Sequence, residues 1–158
     1  MRFALALAPI VFLAAPALAQ NGKPDAKASV TIQDCVKTKS ATGMGELCIG
    51  IVSTPCLERD DTKSTAYMTN CVSHEQAVWD DILNETYRQL RGKLDDTQQT
   101  KLRDMQRAWV TSRDKTCDFY WDFYQGTMAT PMSADCVNRE TAQRALFLLG
   151  FLNDGEKK

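Results

Sequence analysis

Lys101–Cys117, reading KLRDMQRAWVTSRDKTC, decides how the rest of the chain is read. Leu102, Met105, Trp109, Val110 and Cys117 recur at three- and four-residue steps, which lays one apolar stripe along a helix. Gln106 and Arg113 fall on or beside that stripe. A polar group at a packing face needs a partner, because an unpaired buried donor costs about 1–3 kcal/mol. The stripe must therefore meet another element that offers acceptors. Upstream, Trp79-Asp80-Asp81-Ile82-Leu83-Asn84-Glu85-Thr86-Tyr87 is a second stripe, with Asn84 and Tyr87 as its polar tips. Downstream, Cys136-Val137-Asn138-Arg139-Glu140-Thr141-Ala142-Gln143-Arg144 opens a third.

Outward from these segments the pattern stays helical. Met68, Cys71, Val72, Val78, Trp79, Ile82, Leu83, Leu90 and Leu94 keep one face apolar, so the spacing predicts one helix over about 65–93. Ser73 with Gln76 offers a capping box that could start a separate helix instead, but the stripe crosses it without a phase change. Asp95-Asp96-Thr97 makes a turn, with Asp96 or Thr97 capping a second long helix from about 98 to Tyr124. Gly126 to Ser133, with Pro131, reads as a loop, and a third helix follows from about Ala134 to Leu152. Before all of these, Ser29–Lys39 reads as a short helix broken by Gly43 and Gly45. Glu46–Ser53 is a short turn or helix stopped by Pro55, and residues 57–64 are a charged loop. The expected fold class is all-α: a small disulfide-stapled helical bundle with two long antiparallel helices and a third packed across them.

Residues 1–19 have the form of a secretory signal peptide. Arg2 gives the positive start, Phe3 to Ala15 is almost wholly apolar, and Ala17-Leu18-Ala19 is a small-x-small cleavage pattern. The mature chain should begin at Gln20, with no membrane span and a periplasmic or secreted location. Residues 20–28 read as a disordered leader and 29–153 as a single domain, divided into an N-terminal cysteine-containing extension (29–55) and a core (56–153). The chain has 19 Lys and Arg against 20 Asp and Glu, a balance without the excess of basic charge that a nucleic-acid partner would favour. It is also too mild to steer a basic partner by net charge alone.

All six cysteines, Cys35, Cys48, Cys56, Cys71, Cys117 and Cys136, follow the cleavage site. An even number in an exported domain reads as disulfides, whose connectivity sequence leaves open. Neighbour pairing, Cys35–Cys48, Cys56–Cys71 and Cys117–Cys136, is favoured because each pair brackets a loop-like stretch. A metal site competes poorly, since no C-x2-C pair occurs and His74 is the only histidine. No metal and no cofactor is expected.

Taken together, W-x3-LN-x2-Y, LR-x2-QRAW-x3-RD-x2-C and C-x4-T-x2-R, in that order, resemble the N-terminal domain of the LprI-type lysozyme inhibitors. These are small secreted or lipid-anchored bacterial proteins. The resemblance covers about Cys56 to Leu152. This chain reads Gln125-Gly126-Thr127 where the family usually has a Gly-Gly-Ser turn, and its extension adds two cysteines. No cysteine stands immediately after the cleavage site, unlike in the lipid-anchored relatives. What the resemblance implies is a non-enzymatic protein that binds a lysozyme or other muramidase and blocks its cleft with a rigid loop. A peptidoglycan-binding or scaffolding module of the cell envelope is the alternative, and a glycan-cleaving enzyme is a weaker one.

Two groups of residues are candidates for function. Asn84, Tyr87, Gln106, Arg113, Asp114, Thr141 and Arg144 could converge as a ligand cleft, or serve as inter-helix bonds around the Trp79 and Trp109 rings. The structural role is preferred, and it demands an acceptor for each of Arg113 and Arg144. The run Phe119-Tyr120-Trp121-Asp122-Phe123-Tyr124 is different, because its five aromatics cannot all face one side of a helix. Phe119, Trp121, Phe123, Tyr124 and Gly126 are the candidate binding surface, unless the Cys35–Pro55 segment folds over them. Glu58, Asp60 and Asp61 could meet a basic partner, although a charged loop is usually only solvated. His74 reads as a surface helix residue. Neither a Ser nor a Cys is set up as a nucleophile.

Overall fold

A computed structural model describes residues 24–59 and 64–155. The expected signal peptide and cleavage site, the expected leader as far as residue 23, and the acidic pair Asp60 and Asp61 lie outside the described residues. The described chain is helical, with no strand among the described residues.

Helix α1 spans Ala26–Lys39 and is followed by 3-10 turns at Ser40–Thr42 and Gly45–Cys48. Its start lies inside the stretch read as leader. Asp25 caps it by accepting from the Lys27 and Ala28 amides at 2.7 and 3.2 Å. Those amides hold the Asp25 carboxyl below its ordinary value. A short helix, α2, spans Ser53–Leu57. Pro55, read as a stop, sits inside its first turn, where the backbone nitrogen has no intrahelical acceptor to lose.

Three long helices follow: α3 at Thr65–Gly92, α4 at Asp96–Tyr124 and α5 at Ala129–Gly155. Ser64 caps α3 by accepting from the Tyr67 amide, and the helix passes through Ser73 unbroken. Asp95 caps α4, one or two residues before the expected cap. The reason is Gln98, which completes a capping box: Gln98 N–H donates to Asp95 at 2.8 Å and Asp95 N–H donates to Gln98 at 3.1 Å. The start of α5 departs most from expectation. It begins at Ala129, five residues before Ala134, so the segment read as a Gly126–Ser133 loop shrinks to the turn Gln125–Met128. Pro131 is the third residue of α5, placed as Pro55 is in α2.

Helix α5 is the centre of the bundle. It runs antiparallel to α4, since Cys117 bonds Cys136 near one end and Gln106 meets Arg144 further along. Against α3 it runs parallel: Asn138 meets Glu75, and Leu149 shares a cleft with Thr86. The extension covers α3 and α5 from the side, adding Ile32, Val36 and Cys48 to a core of Val78, Trp79, Leu83, Ala142, Ala145 and Leu148. Close approach matters at Gly45, where a Cβ would stand 2.9 Å from the Leu146 side chain. The disulfides pair Cys35 with Cys48, Cys56 with Cys71 and Cys117 with Cys136.

Candidate functional site

The exposed end of α4 is built from the aromatic run. Phe119, Trp121, Phe123 and Tyr124 are 60, 48, 66 and 44% exposed. Burying one such ring is worth about 1.5–3 kcal/mol, so four rings left in water are unspent binding surface. The helical repeat divides them. Phe119 and Phe123 are one turn apart, with centroids 5.9 Å apart, and Tyr120 stacks on Tyr124 at 5.7 Å. Phe123 meets Tyr124 edge to face at 5.0 Å, joining the two pairs into one cluster. A shallow depression opens among Phe119, Tyr120, Phe123 and Tyr124. Trp121 projects from a different side of the helix.

Two features hold this end in place. Cys117, fully buried two residues before the cluster, is bonded to Cys136. The turn that follows is tight, with Gln125 at φ 41° and Gly126 at φ 109°. A glycine adopts such a φ without strain and Gln125 does not. The Cys35–Pro55 segment does not cover these rings. It lies on α3 and α5 instead, for a reason not visible in the motif reading.

That reason is Glu75. Its side chain is fully buried. It accepts from the backbone amides of Gly50, Val52 and Ser53 at 2.6, 3.0 and 2.8 Å, and from Trp79 Nε1 and Asn138 Nδ2 at 3.2 Å each. Burial pushes this carboxyl up. The bonds from Ser53, Gly50, Asn138 and Val52 together outweigh burial and bring it below its ordinary value. Neither Glu75 nor Asn138 was singled out from the sequence. An acid inside an apolar stripe, four residues before a tryptophan, was the available signal.

The seven polar residues singled out from the sequence do not converge on one cleft. Asn84 is exposed and donates to Asp80 on its own helix. Tyr87 is half-buried beside the core. Thr141 is buried, and its hydroxyl has no partner among the described residues. Arg113 pairs with its neighbour Asp114 at 2.7 Å. Only Gln106 and Arg144 bond between helices, with Arg144 Nε donating to Gln106. Around Trp109, however, two cations gather: the Arg113 and Arg144 guanidinium carbons lie 5.1 and 5.5 Å from its ring centroid. Glu58 and His74 are exposed. No group of three or more His, Cys, Asp or Glu side chains converges to hold a metal among the described residues.

The family model described as lysozyme inhibitor LprI matches residues 56–148. This chain belongs to the LprI lysozyme-inhibitor family. The matched span runs from the end of α2 through most of α5 and contains the aromatic end, the Trp109 platform and Glu75. The extension with Cys35 and Cys48 precedes it. Neither the curated proteins nor the solved structures gave a match to this LprI-family chain. Its disulfides and its family together suit an oxidising, extracellular or periplasmic setting. No described helix is long and apolar enough to cross a membrane.

Proposed function

We propose that this protein binds a lysozyme or other muramidase and blocks its cleft with the aromatic end of α4 and the Gln125–Met128 turn. The observation that supports this is the exposure of Phe119, Trp121, Phe123 and Tyr124 beside a disulfide-anchored turn, in a chain of a lysozyme-inhibitor family. Large rings on a rigid support suit the role of interface anchors. Helix α4 and the Cys117–Cys136 bond hold them before any partner arrives, which lowers the ordering cost of association. The rigid element is a helix end with a short turn rather than a long loop. Inhibition of this kind is occlusion; the protein acts as a binder and not as an enzyme.

Lysozyme-catalysed clearing of a cell-wall suspension tests the proposal, with the oxidised protein titrated against c-type, g-type and i-type enzymes. Dose-dependent loss of clearing with one type is the expected result. A Trp121→Ala, Phe123→Ala double variant should lose inhibition while keeping its helicity. Full inhibition by that folded variant would rule this surface out. Sedimentation with purified wall, without lysozyme, is the companion measurement. Retention on the wall by a protein that inhibits none of the enzymes would replace inhibition with peptidoglycan binding.

A further inference from the structure

The aromatic end of α4 carries charge as well as rings. Residues 114–135 hold four aspartates and one base, Lys115. Two of the four are answered within the chain, Asp114 by Arg113 at 2.7 Å and Asp135 by Arg139 at 2.6 Å. Asp118 and Asp122 are exposed, and no ion pair among the described residues involves either of them or Lys115. Asp122 stands three residues from Phe119 and four from Asp118, spacings that make neighbours on a helix surface. It therefore borders the depression lined by Phe119, Tyr120, Phe123 and Tyr124, with Asp118 one turn behind it. The volume of that depression, about 220 Å³, falls below the roughly 300–1,000 Å³ of small-molecule sites and suits one inserted side chain.

We infer that this depression receives an arginine side chain of a partner protein, its guanidinium stacked on the rings and paired with Asp122. A partner that covers the rings also covers the acids beside them. Taking a carboxylate out of water is costly unless a cation replaces the water, and the chain supplies none to Asp118 or Asp122. The occupant must bring that charge. A neutral sugar or an aliphatic side chain would satisfy the rings and leave the acids stranded, whereas the ring faces themselves attract a cation. Guanidinium fits better than ammonium because it is planar. It lies flat on a ring while its N–H groups reach a carboxylate at the edge. The site rests on the contact surface proposed above and narrows what the partner presents there, without requiring that partner to be a muramidase.

Carbon-resolved NMR of the oxidised protein tests this, following the ring signals of Phe119, Tyr120, Phe123 and Tyr124. The probes are three end-blocked tripeptides, Gly-X-Gly, in which X is arginine, lysine or citrulline, the last keeping arginine's shape without its charge. The arginine peptide should move the ring signals saturably at roughly millimolar concentration, the lysine peptide should bind more weakly, and the citrulline peptide should not bind. An Asp118→Asn, Asp122→Asn double variant alters exposed positions only and should weaken arginine binding by about fivefold. Arginine binding no tighter than that of lysine or citrulline overturns the proposal, as does arginine binding that the folded double variant retains in full. Clearing assays with muramidases are read separately. Arginine binding by a protein that inhibits none of them would sink the muramidase reading and leave the arginine site standing. Full inhibition by the double variant, with no arginine binding in either protein, would do the reverse.

Discussion

Helices α3 and α4 are nearly equal in length, 28 and 29 residues, and they are held in opposite ways. Helix α3 buries Cys71, Val72, Glu75, Val78, Trp79, Leu83, Thr86 and Leu90, whereas α4 buries only Leu102 and Cys117. At about 1.5–3 kcal/mol for each large apolar side chain, α3 is fixed by its own burial and α4 is not. Helix α4 is secured at points: the Asp95 capping box at its start, the Gln106–Arg144 bond midway and the Cys117–Cys136 disulfide near its end. Local attachment leaves the surface between and beyond those points free. A helix pinned in this way can present large rings to a partner without first giving up a core.

The comparison predicts a graded series of losses. The largest should come from the α3 side. Glu75→Ala leaves the Gly50, Val52 and Ser53 amides without their acceptor, a cost of about 3–5 kcal/mol, and frees the extension. Amide hydrogen exchange should show those three sites losing protection while α4 keeps its own. Glu75 also sets an acid dependence. Its folded-state pKa is depressed, so its stabilisation is present above the unfolded value and is lost as pH falls through the folded one. Chemical denaturation from pH 7 downward should show stability falling below the ordinary carboxylate range. Glu75→Gln should flatten that fall while lowering stability at neutral pH.

Next comes the pinning of α4. Replacing Cys117 and Cys136 together by Ser should lower stability by about 3 kcal/mol on the chain-entropy estimate, with protection lost first at residues 117–136. Asp95→Ala removes a cap and should cost about 1 kcal/mol in thermal unfolding, with fraying at the start of α4. The smallest effect belongs to the surface. Trp121→Ala with Phe123→Ala should change stability by no more than about 0.5 kcal/mol, because those rings lie largely outside the core. A loss of several kcal/mol there would mean that the aromatic end is a structural part of the bundle, and the contrast with α3 would fail.

The stripe in Lys101–Cys117 and the long run from Thr65 to Leu94 were enough to read helices α3 and α4, because each face is written locally at helical spacing. The mismatch at α5 has a local cause as well. Pro131, like Pro55, stands in a helical first turn, where proline ends nothing, and composition alone could not tell that position from a stop. The exposed aromatics were legible because six consecutive positions cannot all face inward.

What only tertiary structure decided is which polar groups meet. Glu75 binds backbone amides more than twenty residues earlier in the chain and Asn138 on another helix, so no window of sequence contains the arrangement. By the same physics Asn84 turned out to bond its own helix. Arg144 was left with a neutral partner beside Trp109. Hydrophobic periodicity is a property of one segment and survives in the sequence. The pairing of a buried charge depends on how segments cross, and it exists only once they have packed.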